Sequence, residues 1–218
     1  LETRFRESFP FEPTPCQAGF FRSVARFLTS DDGDIMVVNG YAGTGKTTLM
    51  AYLVSKLPKS VLMAPTGRAA KVFAGYSHHP AYSIHKAIYR QQGGGSGHFD
   101  LTYERQDNTL FIIDESSMIS NLPGENRVFG SGRVLDDLIE YIYTAENSQA
   151  IFVGDPAQLL PVGESCSPAM DRRFLEGYGL KVYEASLTDV IRQTADSGIL
   201  YNATRIRHSI ETEPFVPT

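Results

Sequence analysis

Residues 40–47 read GYAGTGKT, and no other stretch restricts this chain as severely. The segment satisfies the pattern GxxxxGKT, directly follows the apolar, β-branched run at 35–38, and opens a helical pattern over 46–57. A strand, a glycine loop and a helix in that order make a cradle for phosphate. Glycines let successive backbone N–H groups curl around the anion, and the helix N-terminus adds positive potential. Lys46 can reach the outer phosphates of a nucleotide, and the Thr47 hydroxyl suits a magnesium ion. Gly40, Ala42, Gly43, Thr44, Gly45, Lys46, Thr47 and Thr48 are therefore the expected nucleotide-binding residues. A plain glycine turn before a helix is the competing reading, and the complete pattern in its strand-loop-helix setting excludes it.

Such a loop needs a sheet behind it. Apolar runs recur at 35–38, 61–64, 110–113, 150–153 and 180–183 and read as buried parallel strands. Helical spacing links Phe20, Val24, Phe27 and Leu28 before the first run, and Leu135, Leu138, Ile139 and Ile142 before the fourth. The alternation predicts an α/β fold whose ligands lie at the carboxyl ends of its strands. A length of 218 residues, 42% of them hydrophobic, suits one domain with an appendage. No run approaches the ~18 apolar residues of a membrane span and no basic-then-apolar leader opens the chain, so a soluble, cytoplasmic protein without a membrane partner is expected. Cys16 and Cys166 stand far apart, as reduced thiols rather than a disulfide or zinc site. The opening at Leu1 and the stop at Thr218 suggest a trimmed piece as much as a whole gene product. A net charge of −5 argues against a uniformly basic nucleic-acid binder but leaves room for a local positive groove.

Splitting a triphosphate requires one acid to hold the metal and another to activate water. Asp114 and Glu115 end the run at 110–113, so Asp114 is expected to hold magnesium, through its water shell in most such sites, and Glu115 to take the proton of the attacking water. An acidic helix N-terminus is the competing reading.

The phosphate loop alone leaves kinases, GTPases, transporters and motors open. The order of the other motifs narrows the choice: Gln17 in TPCQ, GYAGTGKT at 40–47, APTGRAA at 64–70, SIH at 83–85, DESSM at 114–118, GDPAQLLPVG at 154–163, then Arg192 with Gln193. Across about residues 9–207 this set resembles the first RecA-like domain of superfamily 1 helicases. The APTGRAA and GDPAQLLPVG forms resemble the branch containing RecD and the phage helicase Dda, whose members move 5′ to 3′ on single-stranded DNA. The resemblance implies a P-loop NTPase with a RecA-like parallel sheet, helices on both faces and a small inserted β-hairpin. ATP and Mg2+ are the implied cofactors, and single-stranded DNA and duplex junctions the implied partners. It also implies that Gln17 reads the adenine edge with Phe9 or Phe11 packed on the ring, that Gln158 senses the γ-phosphate through the loop at 155–161, and that Arg192 contacts that phosphate. The residues admit plainer accounts as well: a capping box for Thr14, Pro15 and Gln17, a polar turn for Gln158, a solvated helix end for Arg192.

In the same family the loop carrying Pro65, Thr66, Gly67 and Arg68 grips single-stranded DNA, and Ser83 and His85 match a second contact, with Lys71 and Lys86 nearby. Small residues beside one cation do suit close approach of a phosphate, with weak sequence preference and strong salt dependence. A histidine such as His85 is equally at home in a structural role. The segment from about 89 to 108 sits where relatives carry a pin that separates the duplex, which makes Phe99 and Tyr103 candidate wedge aromatics, although hairpin aromatics often pack on their own domain. The expected organisation is a first motor portion at 1–88, the hairpin at 89–109, a second motor portion at 110–195, and a helix and tail at 196–218 leading toward a second motor domain. Motifs of that second domain do not follow Gln193, so the chain is expected to hold ATP without unwinding DNA alone. Competing functions are a motor subunit of a RecD-like exonuclease complex with repair or recombination partners, and a binding module that ATP merely switches.

Overall fold

Alternation within the buried runs decides the layering. In β1 (Ile35–Gly40), Met36 and Val38 join one apolar cluster while Ile35 and Val37 join another, all four fully buried. A strand buried on both faces must lie inside a sheet covered on both sides. The computed structural model, which describes residues 1–30, 33–57, 59–91, 97–104, 106–123, 128–155, 157–158 and 160–190, shows that arrangement. Helices α1 (Glu2–Ser8), α2 (Pro15–Leu28), α3 (Lys46–Lys56) and α4 (Gly67–Ser77) contribute to the cluster of Met36 and Val38. The cluster of Ile35 and Val37 takes in α5 (Ile84–Ile88), α6 (Val134–Tyr143) and α7 (Arg172–Glu176).

The remaining sheet strands are β2 (Ser60–Ala64), β3 (Ala81–Ser83), β6 (Leu110–Ile113), β7 (Gln149–Gly154) and β8 (Val182–Leu187). All pair in parallel, in the order β3-β2-β6-β7-β1-β8. Between α5 and β6, β4 (Tyr89–Gln91) and β5 (Phe99–Leu101) form the antiparallel hairpin expected there. Its loop end is tied to the segment around Phe129. Phe99 and Phe129 form a parallel bridge, the Phe99 N–H donates to the Val128 carbonyl and the Gly130 N–H to the Phe99 carbonyl, both at 2.8 Å.

Four predicted strands coincide with β1, β2, β6 and β7, and the fifth is displaced: β8 starts at Val182 rather than 180 and runs to Leu187. It is an edge strand whose burial alternates, so Glu184 and Ser186 interrupt the apolar run that marked the inner strands. The helix and tail expected at 196–218 lie outside the described residues.

Candidate active site

The register brings three strand ends level. Asn39 pairs with Gly154 across β1 and β7, and Ile113 with Phe152 across β6 and β7. The phosphate loop after β1, the acids after β6 and the 154–158 turn after β7 therefore share one rim. Gly43 and Gly45 adopt φ of 83° and 85°, a left-handed backbone that a side chain would strain. Gly40 is required for a different reason: a Cβ there would lie 2.7 Å from Lys46 Cδ. The Lys46 Nζ donates to the Gly40 carbonyl at 2.6 Å and the Tyr41 carbonyl at 3.0 Å. The Thr44 hydroxyl donates to the Tyr41 carbonyl at 2.8 Å.

Asp155 ties this loop to its neighbour. Its side chain is fully buried; Oδ2 accepts the Ala42 N–H at 3.0 Å and Oδ1 the Ala157 N–H at 3.1 Å. The Asp155 carbonyl accepts the Gln158 N–H at 2.9 Å. One carboxylate thus links the apex of the phosphate loop to the turn bearing exposed Gln158. From sequence alone Asp155 belongs only to a connecting loop. The signal for more is its position as the first polar residue after a strand flanking the phosphate-loop strand.

Asp114 is 7% exposed, and burial pushes its carboxyl up to about 6, with the neighbouring Glu115 charge adding to the rise. The Glu115 N–H, the Lys46 charge and the Thr47 hydroxyl pull in the opposite direction. Lys46, Thr47 and Glu115 thus lie around Asp114. Glu115 sits at φ 54°, a strained backbone for a non-glycine residue, and strain of this kind gathers at functional sites. Behind it, a Cβ on Gly154 would lie 2.9 Å from the Ser117 nitrogen, so the β7 rim packs directly on the DESSM turn.

Gln17 closes the other side of the loop. Thr14 and Gln17 form the capping box of α2, with the Gln17 N–H donating to Thr14 Oγ1 at 3.3 Å and the Thr14 N–H to Gln17 Oε1 at 3.1 Å. The Gln17 Nε2 also donates to the Thr44 carbonyl at 3.4 Å, so the cap and the contact with the phosphate loop coexist. Asp189, not anticipated from sequence, accepts the Cys16 N–H at 3.1 Å, and that bond with the Thr14 hydroxyl holds its carboxyl below the usual range. Of the two aromatics expected beside a base, Phe9 is a core residue against Phe21 and Tyr52, whereas Phe11 is 63% exposed.

Pro65, Thr66, Gly67 and Arg68 follow β2 at the same rim, with Thr66 capping α4 by accepting the Ala69 N–H at 3.1 Å. Nothing lies within 4 Å of a Cβ added to Gly67, which leaves open surface there. Ser83 caps α5, and His85 lies edge-on to Phe129 at 5.0 Å, its imidazole held below its ordinary pKa by burial. Phe99 stacks on Phe129 at 4.9 Å, so it packs on its own domain, while Tyr103 is 64% exposed. Arg192 and Gln193 lie outside the described residues.

The residues fit a magnesium nucleotide. Among the described residues no group of three or more His, Cys, Asp or Glu is placed to hold a metal, so Thr47 and Asp114 would share the ion with phosphate oxygens. A large concavity, about 1090 Å³, opens at the opposite ends of the strands, between Asp34, Lys59, Asn108 and Gln149. It contains none of these groups, and chemistry rather than volume locates the site.

The chain is 30% identical to the uncharacterized protein R530 of Acanthamoeba polyphaga mimivirus over 170 residues, 63% of this chain and 31% of that protein. It is 32% identical to the multifunctional conjugation protein TraI of Escherichia coli K12 over 111 residues, 46% of this chain and 6% of TraI. Among solved structures, a Pif1 helicase from a study of unwinding at forked dsDNA superimposes with a TM-score of 0.53 at 23% identity, over 84% of this chain and 46% of that one. A Bacteroides Pif1 helicase in complex with ADP-AlF3 and ssDNA gives 0.51 at 23% identity, over 86% and 45%. The chain thus spans about a third or less of these curated relatives and under half of these solved chains. A family profile described as an AAA domain matches residues 21–213, and the chain belongs to this AAA domain family, with a parallel-sheet α/β fold like that of the matched part of the Pif1 chains.

Proposed function

We propose that the chain is the ATP-binding motor domain of a DNA helicase that couples hydrolysis to 5′-to-3′ movement on single-stranded DNA and to duplex opening. The observation that carries this reading is the convergence of Lys46, Thr47, Asp114, Glu115 and the Asp155 turn on one rim, level with the Thr66–Arg68 loop after β2. Magnesium ATP, when bound, supplies the phosphoryl group and neutralises charge on its oxygens. Lys46 swings from the loop carbonyls to the outer phosphates, Thr47 and Asp114 hold the metal, and Glu115 takes the proton of the attacking water. Gln17 meets the adenine, with exposed Phe11 rather than buried Phe9 beside it. Gln158 follows the γ-phosphate from a turn that Asp155 fastens to the phosphate loop, and Arg192 adds charge to the same phosphate. Single-stranded DNA crosses Pro65, Thr66, Gly67, Arg68, Ser83 and His85, and Tyr103 is the wedge aromatic that the hairpin leaves exposed. The Pif1 structures, one bound to ssDNA and one concerned with forked dsDNA, support these substrates.

Such motors step by closing a cleft between two domains. Stepping and unwinding therefore belong to the whole protein, and nucleotide holding with part of the DNA track to this chain. An intracellular, DNA-associated location follows from this reading; among the described residues no helix is long and apolar enough to cross a membrane. The test is ATP hydrolysis with and without oligo(dT), on this chain and on the whole protein, with Lys46→Ala as control. DNA-stimulated turnover that Lys46→Ala abolishes is expected in the whole protein. Turnover indifferent to DNA there would reject the motor and favour an ATP-switched module.

A further inference from the structure

Residues 35–99 contain seven Lys and Arg but no Asp or Glu, in a chain of net charge −5. Its first part forms β1 and the phosphate loop; residues 60–99, with Arg68, Lys71, Lys86 and Arg90, build the β2-β3 side of the sheet, where β3 forms the outer edge. Arg68, Lys71 and Lys86 are exposed there, and none has an ion pair among the described residues. Unneutralised cations gathered on one flank of an acidic protein mark a surface for a polyanion.

An aromatic side chain stands beside one of them, Lys86. Tyr82 is paired with Met63 in the β2-β3 register, one residue below Ser83 and hence one strand step from the rim that Thr66 and Arg68 follow. It is 42% exposed, its hydroxyl has no hydrogen-bond partner among the described residues, and Lys86 Nζ lies 5.7 Å from its ring centroid. A ring that is half in water, with an unused hydroxyl and an unpaired cation beside it, contributes little to the core. Proteins that hold single strands without reading sequence use this pair of groups, a ring for the base and a cation for the phosphate.

We infer that Tyr82 and Lys86 form a nucleotide subsite on the outer edge of the sheet, where a base of single-stranded DNA stacks on Tyr82 while Lys86 moves to the adjoining phosphate. The subsite rests on the motor reading and extends its DNA track past Ser83 and down the β3 edge.

The chain contains no tryptophan, so Tyr82→Trp gives a single-tryptophan reporter. Titration with oligo(dT) at low salt is expected to quench the indole emission of this variant, while Phe174→Trp, on α7 toward the opposite edge, stays unquenched. In parallel, anisotropy of a fluorescein-labelled oligo(dT) reports overall binding. Tyr82→Ala is expected to weaken it roughly 5- to 100-fold, as for loss of one stacked base, and Tyr82→Phe to leave it unchanged. Lys86→Ala should flatten the dependence of log affinity on log salt by about 0.7, one single-strand phosphate contact. Oligo(dT) binding that leaves the Tyr82→Trp emission unquenched, together with wild-type affinity of Tyr82→Ala, would overturn the subsite and leave the motor reading intact. If neither this chain nor the whole protein raises the anisotropy, both readings fall together.

Discussion

Asp155→Asn separates the positioning of the phosphate loop from the stability of the fold. The native carboxylate accepts two N–H groups, Ala42 at 3.0 Å and Ala157 at 3.1 Å. Hydrogen bonds to a charged group contribute about 1.5–3 kcal/mol each. An asparagine keeps one acceptor and turns its NH2 toward the other donor, so one bond is lost and two donors face each other. Two effects offset part of this cost: both bonds are only part-buried, so water can reach the orphaned N–H, and a neutral amide is cheaper to bury than a charge. The expected loss is about 1–3 kcal/mol, which for a domain of this size lowers Tm by about 2–10 °C. Asp155→Ala, which loses both bonds, should fall further. Because Ala42 belongs to the phosphate loop, the affinity for a fluorescent ATP analogue should drop in the same order, wild type above Asn above Ala. Thermal unfolding and nucleotide titration on the three proteins check both scales. A Tm loss with unchanged nucleotide affinity would refute the idea that Asp155 shapes the loop, and an unchanged Tm would refute the bonding.

The other expectations concern single groups on the same rim. Lys46→Ala should fold normally, because its amine bonds to loop carbonyls rather than to the core, yet lose hydrolysis by roughly 10²–10³-fold in a steady-state assay. Gly154→Ala places a Cβ 2.9 Å from the Ser117 backbone nitrogen, so a loss of about 1–3 kcal/mol in denaturant unfolding should accompany a drop in hydrolysis as the Asp114–Glu115 turn shifts. Asp114, raised from 3.8 to about 6, binds its proton more tightly folded than unfolded; its stabilising share is full below about pH 4 and is lost as pH rises through 6, about 3 kcal/mol in all. Unfolding free energies across pH 4–7 should therefore decline less in Asp114→Asn than in the native chain, and a matching decline in both would count against the buried carboxyl. Thr14→Ala removes the α2 cap and should cost about 1 kcal/mol by chemical denaturation.

Legibility from sequence followed how local the determining physics is. The phosphate loop was readable because strand, glycines, lysine and threonine lie within a dozen residues and each has a backbone reason for its place. Inner strands were readable because burial on both faces leaves an uninterrupted apolar run, as at 110–113. The edges were not: β8 alternates, and the three-residue β3 has no run long enough to notice. Gln17 supported both of its readings because one amide can cap a helix and touch Thr44 at once. What stayed hidden was contact between distant segments, such as Asp155 with Ala42, Asp189 with Cys16, and Phe129 with Phe99 and His85. No local pattern encodes these pairs. They arise from the order of strands in the sheet.

That order also arranges charge. Reading across β3-β2-β6-β7-β1, the first two strands end in the acid-free segment with Arg68 and Lys86, the next two end in Asp114, Glu115 and Asp155, and β1 ends in the loop of Lys46. A band of carboxylates thus stands between two cationic rims. On the proposed function each rim takes its own anion, the DNA backbone on one side and the nucleotide phosphates on the other. The band raises the cost for a DNA phosphate to slide from β2 into the phosphate loop, since at close range like charges in a half-buried site repel by several kcal/mol. Asp155 is the member of the band that also touches the phosphate loop, and its carbonyl holds the turn of Gln158. Any shift of the loop toward a bound phosphate must therefore pull on the turn of Gln158, so one member of the band, Asp155, also carries the coupling.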